Sequence, residues 1–363
     1  MRILVTGAGG FLGWHTRVRL HARSQHEVVP VDRSAWPQLA DLARGIDAIV
    51  HIAGVNRAPD AEVEQGNVEL AREVADAATS AGSRPRIVYA NSIQSGNGTP
   101  YGNGKSEAAR ILADAAAAIG SAFVDVRLPN LYGEHGRPRY NSFVATFAHA
   151  VSHGETPQIT DREVELLHVQ DAAQALIDAL ATDDALVRPA GTTTTVSTVY
   201  TLLRDFAALY ASGDIPPLEP GLATNLFNTM RAARFPELYP ISLTPRSDPR
   251  GTLTEVVRNH GGQGQTFIST TKPGITRGEH FHLRKVERFA VVGGEATISL
   301  RKVLTDEVVS FEVTGDAPVA VDMPTMWVHN ITNTGSDELT TIFWANELFN
   351  PEDPDTYPEP VQR

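Results

Sequence analysis

The segment Thr6-Gly7-Ala8-Gly9-Gly10-Phe11-Leu12-Gly13 follows the apolar run Ile3-Leu4-Val5 and leads into a stretch with helical spacing. Few folds pass a strand through clustered glycines straight into a helix. Glycine there permits a tight turn and close backbone approach, and the helix N-terminus offers unpaired N–H groups to a pyrophosphate. The next β-rich run ends in Val31-Asp32-Arg33, about where a ribose-binding acid belongs in such a unit. Asp32 as an acceptor for adenosine hydroxyls favours NAD(H); Arg33 beside it favours NADP(H), through a 2′-phosphate.

Up to about residue 180, apolar strands alternate with alanine-rich helical stretches. Strands are read at 3–5, 28–31, 48–52, 87–90 and 123–127, and helices at 12–22, 68–81 and 106–119. That order predicts βαβ units around a doubly wound parallel sheet, an α/β Rossmann domain. From about residue 245 the runs shorten and become β-rich, at 264–270, 287–292, 296–301, 308–313, 319–322 and 339–344, with Gly, Asp, Asn and Pro between them. This predicts an all-β barrel. Prolines at 236, 240 and 249 interrupt both patterns, so domains are expected at 1–240 and 241–363.

A chain of 363 residues exceeds the usual size of one core, which agrees with two domains. The formal charge is −12 and neither half is basic, so a nucleic-acid partner is not expected. With no cysteine, disulfides and thiolate chemistry are excluded, and any metal must be held by His and carboxylate. No leader-like segment and no apolar run of ~18 residues is present, which makes a cytoplasmic enzyme without membrane contact the expectation.

Tyr101-Gly102-Asn103-Gly104-Lys105 places a phenol and an amine four residues apart, on one face if the segment is helical. A nearby ammonium lowers a tyrosine pKa and makes it a usable acid when hydride reaches a carbonyl carbon. Ser92, at the end of the strand read at 87–90, is placed to bond the same oxygen. In the second half, His280, His282, Glu287 and His329 supply three imidazoles and a carboxylate. On a strand, residues 280 and 282 share a face, so both rings reach one cation. Such a set suits zinc, iron, manganese or nickel.

The N-terminal region resembles the extended short-chain dehydrogenase/reductase family. The matching elements are Gly7, Gly10 and Gly13, His51-Ile52-Ala53-Gly54, Asn67, Ser92, Tyr101 with Lys105, Arg127 to Gly133, and His168-Val169-Gln170-Asp171. The resemblance implies catalysis by Ser92, Tyr101 and Lys105. It also implies a nicotinamide cofactor held by Gly7, Gly10, Phe11, Leu12, Gly13, Asp32, Arg33, His51, Ala53, Gly54, Tyr101 and Lys105. Ser92 precedes Tyr101 by nine residues, a shorter gap than the family usually shows. The second half resembles the cupins, which implies His280, His282, Glu287 and His329 as metal ligands, with zinc the expected ion. One departure is Met326, where the second cupin motif usually has glycine.

The order of the two domains, with the runs 51–57, 91–94, 140–142, 272–276 and 344–347, is similar to bifunctional capsular-polysaccharide enzymes. That likeness implies a homodimer acting on a UDP-2-acetamido-2,6-dideoxy-4-ketohexose, epimerised at C3 in the cupin and reduced at C4 with NADPH. The product is UDP-2-acetamido-2,6-dideoxy-L-talose, on the route to N-acetyl-L-fucosamine. Arg57, Ser92, Gln94, Asn130, Asn141 and Arg162 are then substrate contacts, and Lys272 is the candidate base of the barrel. The competing expectation is an NAD-retaining epimerase or dehydratase with a non-catalytic, sugar-binding or dimerising cupin. Dehydratases follow the serine with an acidic pair, whereas Ile93-Gln94-Ser95 stands here and favours reduction.

Overall fold

A computed structural model describes all residues from Met1 to Arg363, in two compact units. The first unit holds residues 1–132 and 163–194. Its elements are β1 (Arg2–Thr6), α1 (Phe11–Arg23), β2 (Glu27–Val31), α2 (Leu39–Leu42), β3 (Ala48–His51), α3 (Asp60–Ser80), β4 (Arg86–Ser92), α4 (Pro100–Ala118), β5 (Phe123–Leu128), β6 (Asn130–Tyr132), β7 (Glu163–His168), α6 (Val169–Asp178), β8 (Leu186–Val187) and β9 (Thr192–Thr195). Six strands form a parallel sheet in the order β2-β1-β3-β4-β5-β8. Alternation along the strands gives each face its own core. Leu4, Ile49, Ile87 and Tyr89 pack under Val74 of α3 and Leu112 of α4. Ile3, Val5, Val50 and Val88 pack against Leu20 of α1 and Leu176 of α6. After β2 the chain crosses to the other side of β1, so the strand order reverses between β1 and β3. In open α/β sheets ligands bind at that reversal, beyond the carboxyl ends of the strands.

The second unit holds residues 133–162 and 195–363. Its helices are α5 (Phe143–Ser152), α7 (Val196–Ala211) and α8 (Leu222–Arg234). Its strands are β10 (Ile241–Ser242), β11 (Pro245–Asp248), β12 (Gly251–Thr254), β13 (Gln265–Thr271), β14 (Thr276–Phe281), β15 (Glu287–Gly293), β16 (Glu295–Lys302), β17 (Val308–Thr314), β18 (Val319–Met323), β19 (Trp327–Asn333), β20 (Leu339–Ala345) and β21 (Tyr357–Pro358). Apart from the β11–β12 hairpin they make two five-stranded antiparallel sheets, β10-β18-β15-β20-β13 and β17-β16-β19-β14-β21. Both sheets supply one core, with Phe289, Val321 and Phe343 from the first meeting Ile298, Trp327 and Ile331 from the second.

The compact units do not divide at residue 240, where the sequence pattern changes. Residues 133–162 and the helices α7 and α8 cluster with the barrel instead. The cause is a buried polar network. Arg288 of β15 forms a bidentate pair with Asp322 of β18 at 2.6 and 3.0 Å, and both side chains are wholly buried. Tyr210 of α7 donates to the same carboxylate at 2.7 Å, and Arg231 of α8 donates to the Met323 carbonyl. The helices are therefore polar partners of the barrel, which apolar periodicity does not reveal.

Asp322→Ala leaves the Arg288 guanidinium buried and unpaired. It is expected to lower unfolding free energy by about 3–5 kcal/mol, read as a lower denaturant midpoint for this unit.

Candidate active sites

The first site lies at the carboxyl ends of β1, β3 and β4. Gly7 has φ +65°, and a Cβ on it would sit 2.8 Å from the Ala53 nitrogen; one on Gly13 would sit 2.1 Å from the Gly7 carbonyl oxygen. The glycines are thus fixed by the packing of the turn on α1 and on the His51 to Gly54 segment. Gly10 caps α1 with no side-chain hydrogen bond, and no acid stands in the first turn with Phe11 and Leu12. That leaves the positive end of the helix open to an anion, which fits a dinucleotide pyrophosphate. Asn67 holds the far wall: it accepts from Val55 N at 3.2 Å and donates to the Val55 and Val63 carbonyls at 2.8 and 2.7 Å.

At the end of β2, Asp32 Oδ1 accepts from Ser34 N, Ser34 Oγ and Ala35 N. These bonds, those of Ser34 and Ala35 foremost, hold its pKa below the ordinary carboxylate value. Arg33 is exposed beside it. Sequence reasoning missed Arg17, one turn beyond Gly13. Its guanidinium donates to the Ala8 carbonyl at 3.2 Å and is attracted by Asp32. Nothing in the glycine pattern marks position 17, because only the fold brings it back to the loop.

Behind the turn, Thr6 Oγ1 accepts from Ile52 N at 3.0 Å and Ala53 N at 3.2 Å, and lies 2.7 Å from His51 Nδ1. With two acceptances already made, the hydroxyl proton goes to Nδ1, so His51 carries its own proton on Nε2. Burial, then the charge of Lys105, pushes the His51 pKa down to about 3 and keeps the ring neutral. His51 stacks on Tyr89 at 5.4 Å, and Lys105 Nζ lies 4.2 Å from the centre of the Tyr89 ring.

Ser92 ends β4 and Tyr101 opens α4, and the short turn between them brings the two side chains into a hydrogen bond despite the nine-residue gap. Ser92 Oγ also accepts from Gln94 N at 3.1 Å. The expected lowering of the Tyr101 pKa by Lys105 is absent. Burial raises the phenol, with Ser92 alone opposing it. The reason is direction: Lys105 Nζ turns to the Ala90 carbonyl, 2.7 Å away, and to Tyr89. Burial brings Lys105 itself down to about 7, with Asp125 acting against that shift. Asp125 is held by Asn91 at 2.7 Å and Arg127 at 2.8 Å.

Of the expected substrate contacts, Arg57 and Gln94 are exposed on the loops after β3 and β4, and Asn130 opens β6 with Nδ2 bonded to the Glu165 carbonyl at 3.1 Å. Asn141 and Arg162 are exposed in the second unit.

The second site gathers His280, His282, Glu287 and His329, whose ligand atoms all lie within 4.8 Å of one another. His280 and His329 face each other as partners on β14 and β19, and Glu287 opens β15 of the opposite sheet. Two corrections to the strand argument apply. A bulge interrupts β14 between Gly278 and His280, with Glu279 at φ +59°, and the strand stops at Phe281, leaving His282 just beyond it. The bulge re-aims His280, and simple alternation does not bring the two rings together.

Each imidazole is fixed through one nitrogen by a backbone carbonyl: His280 by Gly278, His282 by Asp355 at 2.6 Å, and His329 by Trp327 at 3.2 Å. The other nitrogens converge. His282 Nε2 is 3.0 Å from Glu287 Oε2, while His329 Nε2 is buried 3.3 Å from the same oxygen in a geometry that makes no hydrogen bond. A carbonyl behind each ring, with the other nitrogen turned inward beside a carboxylate, is how proteins present histidine to a metal, so the residues fit a divalent cation. Burial opposes charge on His282, but Glu287 outweighs it and raises that pKa; burial and the two neighbouring rings bring His280 down to about 3.

Met326 takes φ +62°, the conformation expected of the glycine it replaces, and donates its N–H to the His282 carbonyl at 2.7 Å. The turn is kept and the strain is carried by the side chain. Lys272 does not join the cluster. It is exposed, between β13 and β14.

No helix is long and apolar enough to cross a membrane. Residues 3–190 match the NAD dependent epimerase/dehydratase family, and residues 246–357 match the polysaccharide biosynthesis C-terminal domain. The chain is 33% identical to a UDP-2-acetamido-2,6-beta-L-arabino-hexul-4-ose reductase of Pseudomonas aeruginosa, over 98% of each chain. The crystal structure of the capsular polysaccharide assembling protein CapF from Staphylococcus aureus superposes with a TM-score of 0.65 at 33% identity, covering 99% of this chain and 100% of that one. A UDP-glucose 4-epimerase from Thermotoga maritima shares the fold at 19% identity and a TM-score of 0.52, over 57% of this chain and 83% of its own.

Lys105 is lowered on folding from 10.5 to about 7. The unfolded chain therefore binds the extra proton between those values, and stability falls as pH drops through that window. Relative to Lys105→Met, the wild type is expected to lose about 1.4 kcal/mol per pH unit from pH 10 to 7 and no more below, measured by chemical denaturation across pH.

Proposed function

Because the chain belongs to the NAD dependent epimerase/dehydratase family, we propose that it is a bifunctional enzyme of UDP-sugar metabolism. Its barrel epimerises a UDP-2-acetamido-2,6-dideoxy-4-ketohexose at C3, and its first unit reduces the C4 ketone. The product is the talose isomer, an intermediate for N-acetyl-L-fucosamine and capsular polysaccharide. The observation that carries this reading is the pairing, in one chain, of the Ser92–Tyr101 proton-transfer pair with a buried cluster of three histidines and a glutamate. Full-length likeness to a ketohexose reductase and to CapF supports it.

A reduced nicotinamide cofactor, when bound at the Gly7 to Gly13 turn, supplies the hydride. Tyr101 delivers the proton to the C4 oxygen, and Ser92, donating to the phenol oxygen, orients it and stabilises the phenolate left behind. Lys105 stands behind them, its amine held by the Ala90 carbonyl and its charge offset by Asp125. In the barrel, a C4 ketone acidifies the C3 hydrogen, so its removal and return on the other face inverts that centre. A divalent cation held by His280, His282, Glu287 and His329, zinc being the expected ion, supplies electrophilic stabilisation of negative charge. Arg17 and Arg33 flank Asp32 with two cations, which favours NADP(H) over NAD(H).

Tyr101→Phe is expected to lower NADPH oxidation by about 10²- to 10⁴-fold while deuterium from D₂O still enters C3. His280→Ala with His282→Ala is expected to stop that uptake and to leave reduction of the unepimerised 4-ketosugar in place. NMR of the sugar reads both. Unchanged turnover in the tyrosine variant sinks the reductase half, and full uptake by the histidine pair sinks the metal-dependent half. Arg17→Ala should raise KM for NADPH and leave KM for NADH in place; equal changes for both cofactors count against a 2′-phosphate contact.

A further inference from the structure

Residues 357–361 lie along β14, which carries His280 and ends just before His282. Tyr357 and Pro358 pair with Phe281 and His280, and the rings of Tyr357 and Phe281 are 5.3 Å apart. Glu279, the bulge residue, accepts the Val361 N–H at 2.6 Å, and its carbonyl accepts the Glu359 N–H at 2.9 Å. Arg301, 1% exposed, donates to the Val361 and Pro360 carbonyls and to Glu359.

Asp355 is the centre of this segment. It is 1% exposed and sits at φ +46°, a conformation non-glycine residues hold only when their surroundings impose it. Its carboxylate accepts three successive backbone N–H groups, Leu283 at 3.1 Å and Arg284 and Lys285 at 2.9 Å each. Its own carbonyl accepts the Nδ1 proton of His282 at 2.6 Å. The side chain thereby fixes the turn after His282, and the main chain of the same residue fixes the tautomer and the plane of the ring. Outer partners of metal-bound histidines work in this way: they orient the ring and hold the correct nitrogen forward.

We infer that Asp355 is a positioning residue of the metal centre, setting the affinity of the barrel for a divalent cation through His282 while touching neither the cation nor the sugar. The inference rests on the metal reading given above. Removing such an outer partner lowers metal affinity by about 10- to 100-fold.

The test uses the full-length chain with zinc and, in parallel, cobalt. Affinity is measured by chelator competition, and ligand geometry by the visible absorption of the cobalt form. Asp355→Ala removes all three N–H contacts and is expected to weaken binding by that factor and to alter the cobalt spectrum. Asp355→Asn retains one acceptor oxygen and should fall between the alanine variant and the wild type. If the alanine variant does not fold, judged by loss of NADPH binding and of its unfolding transition, the asparagine variant decides. Wild-type affinity and an unchanged cobalt spectrum in the folded variants overturn the inference. A wild type that takes up no divalent metal overturns the metal reading itself, and this inference with it.

Discussion

The ion pair of Arg288 and Asp322 is the contact on which the larger unit is built. Two charges removed wholly from water are stable only with close geometry and full hydrogen bonding. The geometry is close, the Gly213 and Val256 carbonyls take both Nη1 protons, and Tyr210 donates to the second carboxylate oxygen. The pair locks β15 to β18 and brings α7 with it. Strand alternation then does the rest. Arg288 faces the helices, so its neighbour Glu287 faces the barrel interior, where it meets His282 and His329. One dipeptide thus carries a structural charge on one face and a ligand on the other.

The first unit solves a similar problem with less charge. His51, Tyr89 and Lys105 form a stack behind the turn, in which Thr6 bonds His51, the Ala90 carbonyl accepts from Lys105 and Asp125 offsets the residual charge. Burial keeps His51 neutral and brings Lys105 close to neutrality, so little net charge is buried there. Ser92 and Tyr101 stand in front of this assembly, half-buried, at the carboxyl end of β4.

Much of this was legible in the sequence. The first five parallel strands fall within a few residues of the apolar runs, because buried strands of such a sheet are continuously hydrophobic, while α3 and α4 begin eight and six residues before the expected helices. The glycine turn, Tyr101 with Lys105, and the four clustered ligands were readable as residue types at informative spacings. β14 and β19 were not, since Thr-Arg-Gly-Glu-His-Phe and Trp-Val-His-Asn-Ile-Thr-Asn mix polar ligands into strands and break the alternation that marks one. The bulge at Glu279 was hidden for the same reason. Arg17 and Asp355 were invisible in principle: each acts on residues brought near only by the fold, Asp355 on a turn some seventy positions earlier. The direction of the Lys105 amine depended on burial and on a carbonyl of β4, which no spacing rule contains.

Met326 sets two local costs against each other. A left-handed backbone costs a non-glycine residue about 1–2 kcal/mol, yet the Met326 side chain is wholly buried. Restoring glycine relieves the strain but empties a packed space, and losing a buried methionine side chain costs about 2–5 kcal/mol. What fills the space around the turn therefore holds a backbone shape that the residue at its centre would not choose, and a glycine there is a gain only if the packing around it changes too.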